Sequence, residues 1–227
     1  MAGEEQGTDG HGLTWSDGVP ASQRFGDPYF SADGGLDETA HVFHHGNDLP
    51  ARLQDGFHIA ETGFGTGLNL LATMQLWQSL NRPGTLRFTS FEAFPLSPDE
   101  MAQSHAAFPA LADLSASFRT LWATGARRFT LNRTQVHVIE GDARQSLPAW
   151  VDRADAWFLD GFSPAKNPEL WSDTLLSEVA AHTAPGGTFA TYTAAGSVRR
   201  ALAAAGFQVD RVPGFGRKRH MTKGRLP

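Results

Sequence analysis

The chain has 227 residues, of which 41% are hydrophobic and 19% charged, and it contains 16 Phe and 6 Trp but no Cys. This length and composition predict one folded domain with small additions, and they exclude wholesale disorder, disulfides, thiolate metal sites and a cysteine nucleophile. No apolar run is long enough to span a bilayer and the acidic start excludes a secretory signal, so we expect a cytoplasmic protein without a membrane partner.

Charge is distributed unevenly along the chain, although the net charge is only −5. Residues 1–61 contain two basic and eleven acidic residues, a net charge of −9, whereas residues 199–227 contain eight Arg or Lys and one Asp, a net charge of +7. A basic end of this kind can face the phosphates of a nucleic acid. A solvated charged tail would be equally basic, so charge alone does not show whether this end of the chain binds nucleic acid.

The first part of the chain differs in composition from the rest. Residues 1–12 are rich in Gly, Glu and Asp, which predicts a disordered lead-in. Residues 13–227 are expected to form a single domain. Its first segment, residues 13–55, mixes aromatic residues with turn pairs such as Asp17-Gly18, which predicts a β-rich N-terminal extension that packs on the remainder.

Strand and helix patterns alternate from residue 57 onwards. The predicted strands are residues 57–61, 86–91, 129–131, 136–139, 156–159, 188–193 and 207–212, and the predicted helices are residues 68–80, 98–124, 143–151, 170–183 and 197–205. Such alternation predicts an α/β fold with a Rossmann-like, doubly wound, mainly parallel sheet, because parallel neighbours require helical crossovers. Ligands in these sheets bind beyond the carboxyl ends of the strands.

A glycine loop follows the first of these strands. Gly63, Gly65 and Gly67 alternate with other residues, and Glu61 precedes the first glycine by two positions. A dinucleotide fingerprint has a wider last gap, and an acid at its mouth would not favour a pyrophosphate, whereas a carboxylate favours a positively charged sulfur or ammonium group. The pattern resembles the first motif of the S-adenosylmethionine-dependent methyltransferases. A purely structural turn and a nicotinamide-binding loop remain the alternatives.

Two further acids follow the next strands. Glu92 ends the second strand, where a carboxylate can accept hydrogen bonds from both ribose hydroxyls of a nucleoside cofactor, and the alternative is a cap for the next helix. Asp142 can accept a hydrogen bond from the adenine amine or cap the helix that starts near residue 143, and the two roles are compatible.

The loop after the apolar strand 156–159 is the most informative segment. Asp160 is placed to orient the hydrogens of a substrate amine and to stabilise the positive charge that grows on nitrogen during methyl transfer. Phe162 can wall the pocket against water, and Lys166 and Asn167 are candidates for contact with a substrate phosphate or base. The alternative is that Asp160 only starts an Asp-Gly turn.

Histidine spacing does not suggest a metal site, and lone residues such as His58 and His137 are interpreted as structural. The basic end has a clearer pattern. Arg199 and Arg200 open a helix, and Arg217, Lys218 and Arg219 follow Phe215, a combination that suits phosphate contact and base stacking in RNA. A final hairpin with a solvated outer face is the alternative.

Together these segments give the chain a resemblance to one family from residue 13 to its end. It is similar to the methyltransferase domain of the bifunctional MnmC tRNA-modification enzymes and to their stand-alone MnmD counterparts. The stretches that carry the resemblance are residues 27–31, 35–39, 61–69, 91–96, 141–142, 155–171, 185–188, 193–200 and 214–221. The stretch 155–171 and the Gly-Phe-Gly-Arg-Lys-Arg tail are specific to this family rather than to methyltransferases at large.

The resemblance implies a class I S-adenosylmethionine-dependent methyltransferase that acts on the aminomethyl nitrogen at C5 of the tRNA wobble uridine, with 5-methylaminomethyl-2-thiouridine as product. It implies S-adenosyl-L-methionine as cofactor, without metal or flavin in this chain, and the tRNA anticodon stem-loop as partner. The FAD-dependent oxidase domain of bifunctional relatives is expected to be absent here. A methyltransferase for another amine, in a small molecule or protein, and a non-catalytic RNA-binding module are the alternatives.

The residue patterns and the resemblance together give the expected residue roles. The expected catalytic residues are Asp160 and Phe162. The expected cofactor-binding residues are Glu61, Gly63, Phe64, Gly65, Gly67, Asn69, Glu92, Asp142 and Asp160. The expected tRNA-binding residues are Lys166, Asn167, Arg199, Arg200, Arg217, Lys218 and Arg219.

Overall fold

A computed structural model describes residues 12–31 and 34–227, so the predicted lead-in lies outside the described residues except for Gly12. The N-terminal extension begins with a three-stranded antiparallel sheet formed by β1 (Leu13–Ser16), β2 (Val19–Ser22) and β3 (Asp27–Pro28). Asp17 and Gly18 both have positive φ, 51° and 78°. Their conformation makes the tight turn that an Asp-Gly pair favours between two antiparallel strands.

The second half of the extension is helical. It contains α1 (Gly35–Thr39), a π-helical turn (Ala40–His45) and α2 (Leu49–Arg52). The β-rich segment expected over residues 13–55 is therefore stranded only up to β3. Beyond it, the helical segment buries Val42 and Phe43 in the core of the domain, as an amphipathic helix does with its apolar face.

The central sheet has eight strands. They are β4 (His58–Thr62), β5 (Leu86–Glu92), β6 (Arg128–Leu131), β7 (Thr134–Glu140), β8 (Ala154–Leu159), β9 (Thr183–Thr191), β10 (Gln208–Pro213) and β11 (His220–Arg225). Their order is β10-β11-β9-β8-β4-β5-β7-β6. The five strands from β9 to β7 in this order are parallel. The antiparallel pairs are made by β6 at one end of the sheet and by β11 and β10 at the other. The predicted doubly wound, mainly parallel sheet is confirmed.

Helices cover both faces of this sheet. They are α3 (Leu68–Ser79), α4 (Pro98–His105), α5 (Ala112–Ala123), α6 (Ala143–Ser146), α7 (Asp173–Ala181) and α8 (Gly196–Ala204). Alternate strand residues serve opposite cores: Ile59 and Phe158 pack with α3 and α5, whereas Ala60 and Trp157 pack with α7 and α8. Burial on both faces explains why residues 156–159 of β8 are all apolar.

Several predicted elements have different bounds in the structure, and a proline lies at three of the differences. The helix expected over residues 98–124 is divided into α4 and α5 by a short 3₁₀ turn at Pro109. Helix α6 ends at Ser146 instead of residue 151, just before Pro148. Strand β9 starts at Thr183 and contains Pro185, and its pairing with β8 is irregular there. No helix among the described residues is long and apolar enough to cross a membrane.

Candidate active site at the carboxyl edge of the sheet

A cavity of about 960 Å³ opens at the carboxyl ends of β4, β5, β7 and β8. The loops after these strands form its floor, and the N-terminal extension and the turn between β10 and β11 form its walls. Ligand pockets in proteins span roughly 300–1,000 Å³. The cavity therefore has room for a nucleoside cofactor together with part of a second molecule.

The glycine loop lies at the floor of the cavity. Gly63, Gly65 and Gly67 have φ values of +90°, +53° and +75°, in the left-handed region that favours glycine. A Cβ atom at Gly63 would lie 3.0 Å from the carbonyl oxygen of Asp160, and one at Gly65 would lie 3.0 Å from a ring carbon of Tyr29. The three glycines thus allow β4, the first turn of α3 and the neighbouring loops to approach each other closely.

Glu92 joins the end of β5 to this loop. Its Oε2 accepts a hydrogen bond of 2.9 Å from the Gly65 amide, and its Oε1 accepts one of 2.7 Å from the Phe94 amide. The following helix α4 is capped by Ser97, so the alternative role of Glu92 as a helix cap is not observed. Glu92 lines the cavity, and its contact with the ribose hydroxyls of a cofactor stays a prediction.

Asp142 is the N-cap residue of α6. Its Oδ1 accepts a hydrogen bond of 2.9 Å from the Arg144 amide, and its carboxylate forms an ion pair of 2.5 Å with the Arg144 guanidinium. The hydrogen bonds from Arg144 hold the pKa of Asp142 below its usual range. The capping role is therefore present, and because Asp142 also lines the cavity, contact with an adenine stays a compatible prediction.

Two carboxylates converge on one amide behind the glycine loop. Nδ2 of Asn69 lies 2.8 Å from Oε1 of Glu61 and 2.7 Å from Oδ2 of Asp160. Ser90 donates a hydrogen bond of 2.7 Å to Oε2 of Glu61, and Thr39 donates one of 2.9 Å to Oδ1 of Asn69. Glu61 is fully buried and does not line the cavity; Asn69 and Asp160 do. The acid of the glycine motif thus acts on the cavity through Asn69.

Burial changes the proton affinity of both carboxylates. Desolvation raises the pKa of Glu61 well above its ordinary value, and it raises the pKa of Asp160 to about 6. Hydrogen bonds from Gly161 and Asn69 oppose the shift at Asp160 because they stabilise its ionised form. Asp160 is therefore largely ionised at neutral pH, yet it is a stronger base than an ordinary aspartate.

Aromatic residues form one wall of the cavity. The ring of Phe162 stacks on Phe25 with centroids 4.6 Å apart, and the edge of Tyr29 meets it at 5.0 Å. Trp171 donates an indole hydrogen bond of 2.9 Å to the carbonyl of Phe162 and fixes the loop from behind. The loop that carries Asp160 is therefore held by the extension on one side and by Trp171 on the other.

The predicted tRNA-binding residues occupy different places. Among them, Asn167, Arg217 and Lys218 line the cavity, whereas Lys166, Arg199, Arg200 and Arg219 do not. Lys166 instead pairs with Asp27 of β3 at 2.9 Å. This ion pair shows that part of the basic charge is neutralised by an acidic residue of the same chain.

Four residues near the cavity make interactions that the sequence did not predict. Tyr192 donates a hydrogen bond of 2.7 Å to the carbonyl of Gly161, and burial raises the pKa of its phenol. Lys218 lies 4.2 Å from the Tyr192 ring centroid and pairs with Glu38 at 2.6 Å. Tyr192, Glu38, Thr39 and Ser90 all act on residues far away in the chain. Glu38 and Thr39 lie within residues 35–39, one of the stretches that carry the family resemblance. That stretch is the sequence signal that could have identified these two residues.

Comparison with known proteins places this site in a family. Residues 107–227 match the sequence model described as S-adenosyl-L-methionine-dependent methyltransferase. The chain belongs to this methyltransferase family. The prediction of S-adenosyl-L-methionine over a nicotinamide dinucleotide is confirmed, since it is the cofactor of this family. Among the described residues, no group of three His, Cys, Asp or Glu is arranged to hold a metal ion.

The relatives of this methyltransferase are named for tRNA modification. It is 49% identical over 217 residues to the tRNA 5-methylaminomethyl-2-thiouridine biosynthesis bifunctional protein MnmC of Aromatoleum aromaticum, with 92% of this chain and 34% of that protein covered. It is 46% identical over 224 residues to the protein of the same name from Chromobacterium violaceum, with 93% and 34% covered. The chain thus spans about a third of the length of these relatives.

A solved structure agrees with this grouping. The crystal structure of MNMC2 from Aquifex aeolicus is similar to this methyltransferase with a TM-score of 0.78 and 27% sequence identity, covering 96% of this chain and 70% of that one. The resemblance to the MnmC and MnmD methyltransferases that the motifs indicated is confirmed.

Proposed function

We propose that this protein transfers a methyl group from S-adenosyl-L-methionine to the aminomethyl nitrogen at C5 of the tRNA wobble uridine, giving 5-methylaminomethyl-2-thiouridine. The names of the MnmC relatives support this substrate. The observation that carries the proposal is the position of Asp160, whose carboxylate lies on the cavity between the glycine loop and the aromatic wall. A carboxylate there suits an amine better than a hydroxyl or carbon acceptor, because an amine gains positive charge as it is methylated.

The residues present fit the cofactor. The residues proposed to contact it are Gly63, Phe64, Gly65, Asn69, Glu92, Asp142 and Asp160, which line the cavity. Glu61 and Gly67 do not line it, and we propose that they act through Asn69 and through the shape of the loop. When bound, S-adenosyl-L-methionine supplies an electrophilic methyl group on a positively charged sulfur. The glycine loop lets a ligand approach the main chain, Glu92 is placed to accept hydrogen bonds from ribose hydroxyls, and the carboxylates on the cavity wall balance the positive charge.

Asp160 and Phe162 are proposed to carry the chemical step. An amine attacks a methyl group only through a free lone pair, so its remaining hydrogens must be oriented away from the line of attack. Asp160 accepts these hydrogen bonds and stabilises the charge that develops on nitrogen. Phe162 forms the wall that keeps water away, which strengthens the interaction with the carboxylate.

The basic residues around the cavity are proposed to bind the tRNA anticodon stem-loop. Arg217 and Lys218 lie at its rim on the turn between β10 and β11, and Asn167 is on the loop that follows Asp160. Arg199, Arg200, Arg219 and Lys166 extend this charge beyond the cavity. Phosphate contacts position an RNA, and aromatic rings at the cavity can stack on a base turned out of the loop.

Labelled cofactor tests the proposal directly. The protein is incubated with S-adenosyl-L-methionine carrying a labelled methyl group and with tRNA that bears the aminomethyl uridine, and the tRNA is digested to nucleosides. We expect label in 5-methylaminomethyl-2-thiouridine and none in tRNA whose wobble uridine is already methylated. Cofactor binding without label at that base would contradict the substrate assignment. Label on another amine would favour a different methyltransferase, and no transfer to any acceptor would favour an RNA-binding module.

We also propose a cytoplasmic location, because the proposed substrate is an anticodon stem-loop. The relatives are named bifunctional, and we propose no second activity, the expected FAD-dependent oxidase included, for the residues of this chain.

A further inference from the structure

The Asn69 side chain joins the two carboxylates of the site. Asn69 is the second residue of α3, directly after the glycine loop, and it is 7% exposed. Its Nδ2 carries two hydrogens and lies 2.8 Å from Glu61 Oε1 and 2.7 Å from Asp160 Oδ2. A primary amide can therefore donate one hydrogen to each carboxylate, and no other common side chain of this size can do so without bringing a charge.

The orientation of this amide is determined by its surroundings. In the reversed orientation, Oδ1 would face two carboxylate oxygens, which repel it, and Nδ2 would face the Thr39 hydroxyl. In the observed orientation Thr39 donates a hydrogen bond of 2.9 Å to Oδ1. Ser90 holds the far oxygen of Glu61 at 2.7 Å, and Thr39, Glu61 and Ser90 are at most 3% exposed. The four residues form a buried chain of hydrogen bonds that ends at Asp160.

Asp160 is locked by two donors on different oxygens. Asn69 binds Oδ2, and the Gly161 amide donates a hydrogen bond of 2.9 Å to Oδ1. Two such bonds fix the plane of the carboxylate, and an ionised carboxylate has about four acceptor positions, so further positions remain for a ligand on the cavity side. Both bonds also stabilise the ionised form and so counteract the effect of burial on its pKa.

We propose that Asn69 is a positioning residue for methyl transfer: locked by Thr39 and Glu61, its amide sets the orientation and the proton affinity of the Asp160 carboxylate. The proposal rests on the proposed function of Asp160 as acceptor of the substrate amine. It differs from the predicted role of Asn69 as a cofactor contact, because here Asn69 acts through Asp160. Glu61 becomes the buried anchor of the amide.

Carbon NMR of the aspartate carboxyl groups tests the proton affinity without any substrate. The Asp160 signal is assigned by its loss in Asp160→Asn, and its titration is compared between the wild type and Asn69→Ala. Loss of one hydrogen bond to a charged group should move the titration midpoint up by about one pH unit. Gln75→Ala is the matched control, since Gln75 is an amide on the same helix that donates to the Ala110 carbonyl and does not line the cavity. It should leave the midpoint unchanged.

Kinetics with tRNA and labelled cofactor test the orientation. Asn69→Ala should reduce kcat about 10- to 100-fold and shift the acid limb of the pH profile upward, while affinity for S-adenosylhomocysteine changes only a few fold. Thr39→Val removes the hydroxyl that holds Oδ1, whereas Thr39→Ser retains it. We expect Thr39→Val to lower kcat and to shift the acid limb of the pH profile upward, as Asn69→Ala does, and we expect Thr39→Ser to match the wild type. This pair of variants also tests the proposal if Asn69→Ala does not fold.

Two results would overturn the role of Asn69. One is an unchanged Asp160 titration in Asn69→Ala together with a loss of cofactor affinity as large as the loss of kcat, which would make Asn69 a cofactor contact alone. The other is equal behaviour of Thr39→Val and Thr39→Ser. If the wild type methylated no tRNA, the proposed function would fail, and the NMR titration would decide on Asn69 by itself.

Discussion

The chemistry of the site depends most directly on one carboxylate, Asp160. Substituting Asp160→Ala removes the group proposed to stabilise the charge on the amine, and turnover should fall by about 10²-fold or more. Affinity for S-adenosylhomocysteine should stay within a few fold, because the glycine loop and Glu92 are untouched. Single-turnover methyl transfer and calorimetry measure the two quantities. Turnover equal to the wild type would show that Asp160 only starts the Asp-Gly turn.

Glu92 gives a second prediction at this scale. In Glu92→Gln the amide can accept from only one of the two main-chain donors, Gly65 or Phe94, and it places an NH₂ group against the other. The loop and the predicted ribose contact are both weakened, so affinity for S-adenosylhomocysteine should fall about 10- to 100-fold in calorimetry.

A neighbouring acid provides the control for Glu92. Glu140 pairs with Glu92 across β5 and β7, but its side chain binds Arg127 and does not line the cavity. Glu140→Gln should bind S-adenosylhomocysteine as the wild type does. Equal losses in the two variants would mean that Glu92 acts only through the general charge at this sheet edge.

The contrast between residues found and missed in the sequence has a physical cause. Asp160 and Glu92 directly follow apolar strands, and the carboxyl ends of parallel strands converge, so local pattern and sheet geometry suffice to find them. Thr39, Ser90 and Tyr192 act through single hydrogen bonds to residues about 30 positions away. No periodicity marks such contacts, since they depend on the packing of the extension and of two separate strands.

At the level of elements, the sequence pattern predicted the strands of the sheet well, but it did not predict where a helix is interrupted. Strand β4 and helix α3 have bounds within one residue of those predicted, because both are regular and buried. Helices α4 and α5 were predicted as one helix, since their apolar spacing continues across Pro109. Strands β6 and β7, both predicted, form a hairpin whose turn residues Asn132 and Arg133 have positive φ, 46° and 59°.

The turn between β10 and β11 is the element on which the RNA prediction depends. Arg217 lies on the cavity wall and Arg219 on the same turn, so replacing both with alanine should weaken tRNA binding. Each lost phosphate contact should reduce the slope of log K against log salt by about one, hence by about two in the double variant. Fluorescence anisotropy at several salt concentrations measures the slope.

The matched control for the turn removes two arginines elsewhere. Arg87 on β5 and Arg128 on β6 line a separate pocket of about 330 Å³, and β7 lies between their two strands. The variant Arg87→Ala/Arg128→Ala loses the same charge and should retain the wild-type slope. A slope unchanged in the turn variant would show that the turn does not touch phosphates.

Considered as a whole, the molecule buries ionisable groups in both layers beside the sheet. His44 contacts Thr73 at 3.1 Å, and His58 contacts Thr89 at 2.9 Å. Burial lowers the pKa of each to about 4, so both are neutral in the folded protein at neutral pH. The pKa values of Asp160 and Glu61 are raised instead, because burial disfavours the charged form of a carboxyl group. The pH dependence of stability therefore combines opposing contributions.

The two histidines should make the protein less stable in acid. Between about pH 6.5 and about pH 4 the unfolded chain binds protons that the folded protein excludes, so stability is complete above this window and is lost as pH falls through it. For each histidine the loss between about pH 7 and about pH 5 is about 2 kcal/mol. The carboxyl groups act oppositely, since their raised pKa values give stability that is lost as pH rises.

Comparison with glutamine variants isolates the histidine contribution. His44→Gln and His58→Gln retain a side chain that can bind the neighbouring threonine but do not titrate, and Asp160 and Glu61 contribute equally to wild type and variant. Urea unfolding should therefore show the wild-type advantage over each variant shrinking by about 2 kcal/mol from about pH 7 to about pH 5. An advantage that stayed constant would mean that these histidines accept protons as readily in the folded protein as in the unfolded chain.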